Sequence, residues 1–358
     1  MKLVDDCADR LRASADRSED LRDLDPESAA ILRDSTLFAA LTPSTVGGHQ
    51  VDPITEMEII AAVASIDPSI GWAYWALAGS TARAASQIPA AAIDVVFPPS
   101  GKFPLIAFDE RPYDNRVIVS ADGDTAHVSG RWQFGSGVTH ADWVLAIGND
   151  GDGGLRAAVV PHSEVTVHDT WHPSGLSGSG TVSYSVDTQV PASYTWSYPP
   201  GMPLRGGAHF CARRAAVKHL GFAIGVGVGS LDHFTRHLAK RGDRAAAGAV
   251  ADLARAEMAM SAVKALGEVE VGRMWSEAMA TLAVGDNTYL RLLAAARWAT
   301  EIALDVCNLA ARYGDASMLA RQNPLQRNLR DIAAAAAHGE ISPTVMDRFG
   351  HTILRRTR

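Results

Sequence analysis

Residues 129–148, SGRWQFGSGVTHADWVLAIG, crowd chemistry-bearing side chains into what otherwise alternates like two β-strands. Strand periodicity predicts Trp132 and Phe134, two apart, on one face. The Gly135-Ser136-Gly137 corner lets the backbone approach another group closely, and the Ser136 hydroxyl can donate and accept. Two readings fit. One is a hairpin with Trp132 in the core; the other is a platform for a flat ring with Ser136 at its edge. His140 and Asp142 follow as a hairpin histidine and a strand-start cap, or as part of the same site. Trp143 reads as core or an inter-domain contact.

Three further stretches carry reactive types. DTWHPSGLSGSGT, 169–181, offers amide donors to a phosphate or a ring edge, or is simply a flexible loop. Its GLSGSG leads into strand-like TVSYSV rather than a helix, so it is not a dinucleotide fingerprint. GWAYWALAGSTARAA places Trp72, Tyr74 and Trp75 where they wall a pocket or fill a helical core. Ser80 and Thr81 there can hydrogen-bond a substrate, but neither is a general base at neutral pH. LRDIAAAAAHGEIS carries His338, an imidazole near neutral pKa, and Glu340. Arg327 and Arg330, just upstream, suit bidentate phosphate contacts or inter-helix ion pairs with neighbours such as Asp331.

The elements that must position these residues fall in three zones. Residues 18–97 read helical, with Asp25-Pro26 and Pro53 as helix starts and Glu56 and Glu58 in an early turn. From Pro98 to about 200, apolar and polar residues alternate between Asp-Gly and Gly-Gly turns, predicting an antiparallel sheet or barrel of short strands. From about Gly206, four long helical candidates predict a bundle. Gly221, Gly225 and Gly229, four apart, allow another helix to approach closely and suit helix-mediated dimers or tetramers. The fold class is therefore α+β: an N-terminal helical domain (1–97), a central β domain (98–205) and a C-terminal four-helix bundle (206–358).

Bulk properties bound the function. The 358 residues are 47% hydrophobic and 20% charged, an ordinary globular composition. A net charge of −7 argues against general affinity for nucleic acid or anionic membrane, despite the basic end Arg355, Arg356 and Arg358. Cys7, Cys211 and Cys307 are far apart, without a CxxC, which fits a reducing compartment and gives no zinc-site pattern. The charged N-terminus does not read as a signal peptide, and the apolar run 220–231 is too short to span a bilayer. A cytoplasmic protein is the expectation.

In this order of zones, the chain resembles the acyl-CoA dehydrogenase fold, and within it the reduced-flavin-dependent monooxygenases that hydroxylate aromatic rings. STLFAALTPSTVGGHQVDPITEMEIIAAVASIDPSIGWA is similar to that branch's N-terminal signature. VSGRWQFGSGVTHADWVLAIG resembles its flavin-facing strand pair, DTWHPSGLSGSGTVSYSVDTQVP its strand segment leaving the β domain, and NPLQRNLRDIAAAAAHGEISPT its last bundle helix. The resemblance implies reduced FMN or FAD from a separate reductase, O2 as co-substrate, a C4a-hydroperoxyflavin, and an aromatic or polyketide-like substrate.

It further implies that Ser136 approaches flavin N5, with Trp132, Phe134, Gly135 and Gly137 as support. Trp171, Thr181 and Arg327 then stand near the flavin, and His338 is catalytic. Trp72, Thr81 and His338 face the substrate, with Ser80 a catalytic candidate where the branch often has a second His. The dehydrogenases' base, a Glu, is absent from its usual places: CARRAAVK lacks a carboxylate and Glu340 is displaced by a residue or two. A dehydrogenase with a relocated base, an N-oxidising relative and a flavin-free scaffold are the alternatives.

Overall fold

The computed structural model describes residues 2–108, 115–120, 123–242 and 247–355. The chain begins with α1 (Lys2–Asp5), α2 (Ala8–Leu21), α3 (Pro26–Asp34), α4 (Pro53–Ile66), α5 (Pro68–Gln87) and α6 (Ala90–Val96). Three of these start at an Asp-Pro pair. Asp25, Asp52 and Asp67 each accept backbone amides of the first turn, while the proline fills a position whose amide would be unpaired anyway. Asp67 both ends α4 and caps α5, so no loop separates the two helices.

The strands are β1 (Ile106–Phe108), β2 (Arg116–Val119), β3 (Thr125–Ser136), β4 (Trp143–Asn149), β5 (Leu155–Pro161), β6 (Val165–His168), β7 (Thr181–Pro191) and β8 (Thr195–Tyr198). They form one sheet in the order β6-β7-β3-β2-β4-β5-β8, with β1 on β4. Most pairings are antiparallel; β1–β4 and β2–β4 are parallel, so the sheet is mixed. Among the described residues its path is open, ending at β6 and β8 rather than closing as a barrel.

The helices then resume as α7 (Ala208–Cys211), α8 (Ala215–Arg241), α9 (Ala249–Thr281), α10 (Asp286–Tyr313), α11 (Pro324–Ala335) and α12 (Thr344–Arg355). Arg355 ends α12, while Arg356 and Arg358 lie outside the described residues. The glycine stripe of α8 is spent inside the chain. A Cβ at Gly221, Gly225 or Gly229 would lie 2.6, 2.3 or 2.5 Å from the carbonyl oxygens of Met57, Ala61 or Ser65 on α4. The face predicted to suit association between copies is thus the seat of α4.

One apolar core runs through all three zones, including Leu77, Trp132 and Phe222. No helix among the described residues is long and apolar enough to cross a membrane.

Candidate active site

The Ser136 corner is built by an irregularity in β3. Its register on β7 shifts between Trp132, opposite Tyr184, and Gly135, opposite Val182. Phe134 takes a left-handed φ of 57°. An inserted residue breaks the two-residue alternation, so the shared face predicted for Trp132 and Phe134 does not form. Trp132 is fully buried, stacks on Tyr184 at 5.6 Å and donates its indole N–H to the Ile147 carbonyl. It is a core residue, not a ring support. Phe134 is turned outward and 47% exposed. Gly135 lies against the Tyr184 ring and Gly137, at φ 71°, against Leu77.

Ser136 heads a chain of hydroxyls. Its Oγ accepts the Trp72 indole N–H at 3.3 Å and lies 2.9 Å from Thr181 Oγ1. Thr181 is 2.8 Å from Ser179 Oγ, which donates to the Leu176 carbonyl at 2.7 Å. An indole can only donate and a carbonyl only accept, so the proton order between them is fixed. Ser136 donates to Thr181, and Thr181 to Ser179.

Beside this chain Phe134, Trp171 and Thr181 line an open recess of ≈ 390 Å³, with Arg131 and Gln133 on its rim. The Trp171 ring is fixed by its N–H, shared between the Leu176 and Ser177 carbonyls at 3.1 Å each. The glycine-rich segment after it is anchored rather than loose. Its Leu176 amide donates to buried Asp331 of α11 at 2.6 Å. Burial, and next the charge of Asp67, push the Asp331 carboxyl up to about 7.

Arg327 is committed elsewhere. Buried on α11, it contacts Asp16 at 2.6 Å, Asp67 at 3.1 Å and Glu19 at 3.6 Å, which corrects its expected role at a flavin phosphate. Three acids already surround the guanidinium. Arg330 pairs with Glu19 at 2.6 Å.

His338 sits three residues past the end of α11, not on the helix. Its Nδ1 accepts the Glu340 amide at 3.3 Å, capping the 3-10 turn Gly339–Ile341. Helical rotation therefore does not govern where Glu340 points. The His338 ring lies 4.5 Å from the ring of His219, a buried residue of α8. His219 Nε2 stands 3.3 Å from Glu340 Oε2. Burial alone would raise the Glu340 pKa. The His219 hydrogen bond and the charges of His219, His338 and Lys218 outweigh it and hold the carboxyl below its usual range.

Trp72 joins the two halves. Its ring meets Trp75 (4.8 Å), Phe222 (5.2 Å), His338 (5.9 Å) and His219 (6.0 Å) edge-on, while its N–H reaches Ser136.

The remaining candidates divide. Thr81 is fully buried and accepts the Ile106 amide at 2.9 Å, pinning β1 to α5; this corrects its expected place on the substrate. Tyr74 is buried and donates to the Leu37 carbonyl. Ser80 is half-buried on α5, about 80° around the helix from Trp72. His140 lies 3.3 Å from Asp23, while Asp142 holds Arg33 at 3.0 Å and the Leu105 amide at 2.8 Å. Those contacts tie α3 and the α2–α3 junction to the sheet.

The sequence reading missed His219, because the stretch weighed for a carboxylate, CARRAAVK, stops one residue short of it. The available signal was an imidazole directly ahead of an apolar glycine-spaced helix face. Atoms of His219, His338 and Glu340 lie within 4.8 Å of one another, a composition that metal sites share. Lys218, next in the chain to His219, adds positive charge there, so the trio reads better as an acid–base group.

Comparison with known proteins places this geometry. Residues 218–343 match the acyl-CoA dehydrogenase, C-terminal domain, family. The crystal structure of 3-HSA hydroxylase from Rhodococcus sp. RHA1 superposes with a TM-score of 0.88, at 24% identity, over 99% of this chain and 96% of that one. The chain has the acyl-CoA dehydrogenase fold. Across nearly its whole length it is similar to a flavin-dependent monooxygenase, the oxygenase subunit HsaA of Mycobacterium tuberculosis. They share 27% identity over 96% of this chain and 92% of that protein. Indole-3-acetate monooxygenase of Pseudomonas putida is 25% identical over 88% of this chain and 83% of that protein. The expected resemblance, to acyl-CoA dehydrogenase-like flavin-dependent monooxygenases, is borne out.

Proposed function

We propose that the protein is the oxygenase component of a two-component monooxygenase. It receives reduced FMN or FAD from a separate reductase and places one oxygen atom of O2 on an aromatic small molecule, the other leaving as water. The observation that carries this reading is Trp72, one side chain touching both the Ser136 hydroxyl chain and the His219–His338–Glu340 group.

The residues present fit a flavin. Outward Phe134 and fixed Trp171 offer apolar faces in the recess, and Thr181 offers a hydroxyl in its wall with Ser136 hydrogen-bonded to it. Bound reduced flavin would supply the two electrons that activate O2. Ser136 would orient the ring edge by redirecting its hydroxyl from Thr181. Trp72 and Trp75 wall off water. His338, with His219 and Glu340 behind it, takes or returns a proton at the substrate hydroxyl or ring carbon; imidazole does both near neutral pH.

Glu340, held below its usual pKa, is poorly matched to the α-proton abstraction of a dehydrogenase. A cytoplasmic location and assembly as a dimer or tetramer complete the proposal. Light scattering of the purified protein tests the latter.

Anaerobic loading with FMNH2 or FADH2, followed by stopped-flow mixing with O2, tests the function. The protein is expected to delay the return of the oxidised flavin spectrum relative to free flavin. Failure to bind either reduced flavin, or re-oxidation as fast as in free solution, would overturn the reading.

A further inference from the structure

Lys218 of α8 is half-buried, one residue before His219. Its Nζ lies 5.5 Å from the Trp75 ring centroid and directly over Gly79 of α5. A Cβ at position 79 would stand 2.3 Å from Nζ, so the missing side chain is what makes the berth. Gly79 is seven residues beyond Trp72, about 20° off the same helix face. The amine therefore arrives on the face that carries Trp72 and Trp75.

The charges around it are otherwise spoken for. Glu56, buried, is ion-paired with Arg214, and Glu340 Oε2 lies 3.3 Å from His219 Nε2. Arg83 donates to the Tyr198 hydroxyl and stacks near Phe108. Among the described residues no carboxylate stands within ion-pair distance of Lys218; its contact is with the face of Trp75. Burial accordingly pushes the ammonium pKa down, opposed by Glu56 and Glu340 and assisted by Arg214 and Arg83. A desolvated ammonium without a counter-ion is costly, and an anion brought by a ligand removes that cost.

We propose that Lys218 is the substrate's counter-ion: the aromatic substrate bears an anionic oxygen, phenolate or carboxylate, that pairs with Nζ while its ring packs against Trp72 and Trp75. An acidic phenol binding to the neutral amine gives the same pair, the phenolic proton passing to Nζ. The assignment rests on the cluster around Trp72 being the substrate side of the proposed site.

Binding is measured without flavin, so its outcome is separate from the oxygen reaction of the wild-type protein. Equilibrium dialysis compares the binding of indole-3-acetate with that of 3-methylindole, its uncharged analogue. The carboxylate is expected to bind roughly 10- to 100-fold tighter, as for a charge-assisted hydrogen bond. Lys218→Met is expected to erase that preference while keeping 3-methylindole affinity, and Lys218→Arg to retain part of it. In the second arm, 4-nitrophenol is added at a pH below its own pKa. Appearance of the phenolate absorption band with wild type but not Lys218→Met identifies a phenol as the source. A preference in either arm that depends on Lys218 supports the proposal. Equal binding of charged and uncharged probes by the wild-type protein in both arms overturns it, as does equal loss of both probes in Lys218→Met. Lys218→Gln, judged by the same ratios, serves if the Met variant does not fold.

Discussion

Replacing Asp331 by Asn is expected to stabilise the protein increasingly as pH rises. The carboxyl is buried, accepts the Leu176 amide at 2.6 Å and the Ser69 hydroxyl at 3.2 Å, and titrates at about 7 rather than 3.8. The native state therefore holds this proton over a range where the unfolded chain has released it. Its contribution is favourable at low pH and is lost as pH rises from about 4 to about 7. At ~1.36 kcal/mol per pH unit the whole loss is ~4 kcal/mol, of which ~3 kcal/mol falls between pH 5 and 7. Asn has no proton to release and keeps a carbonyl oxygen for the Leu176 amide. An unfolding entropy of ~2.1 cal/mol/K per residue converts that difference to a relative Tm gain of about 3–4 °C for the variant. Thermal melts of both proteins at matched ionic strength, from about pH 5 to pH 8, make the measurement. Other titrating groups are common to the two and cancel. Parallel Tm–pH curves would refute the assignment, because Asp331 would then ionise alike in both states.

Gly225→Ala forces a methyl to 2.3 Å from the Ala61 carbonyl, and a loss of ~3 kcal/mol or more is expected in denaturant titrations. Arg327→Met strands Asp67 in the interior and leaves Glu19 to Arg330 and Arg321. It is expected to cost about 3–5 kcal/mol, more at high pH than at low, in melts across pH. Ser136→Ala removes the acceptor of the Trp72 N–H and the hydroxyl facing the proposed flavin edge; reduced-flavin affinity is expected to fall roughly 5- to 30-fold by anaerobic titration. His219→Asn separates Glu340 from its imidazole partner. Turnover of a hydroxylated aromatic is expected to drop roughly 10²-fold, with the acid limb of its pH–rate profile displaced.

What was legible in the sequence was local chemistry or long periodicity. Asp25-Pro26 and Pro53 marked helix starts because capping depends on residues adjacent in the chain. The order of helices, strands and helices followed from hydrophobic periods. Ser136 and Trp72 were both singled out, but their contact spans 64 positions and needed the fold to appear. Phe134 was misplaced because one extra residue in β3 reverses the side to which a side chain points. Arg327 was expected at a phosphate because composition cannot show that Asp16, Glu19 and Asp67, from the far end of the chain, converge on it. His338 was assigned to the last helix because alanines favour helix to the end, whereas α11 stops at Ala335 and His338 serves as a cap.

The backbone-to-backbone seating of α8 on α4 has a consequence for how this enzyme can change its preferences. Lys218 and His219 stand at the start of the same helix whose Gly221, Gly225 and Gly229 are locked against α4 carbonyls. That wall cannot slide or tilt without breaking three close contacts at once. His338 and Glu340 instead hang from a short turn between α11 and α12. The site is thus a vice with one fixed jaw and one adjustable jaw. New substrates would be accommodated by changing which side chain the fixed jaw presents, or by resetting the turn opposite, and not by moving the helix between them.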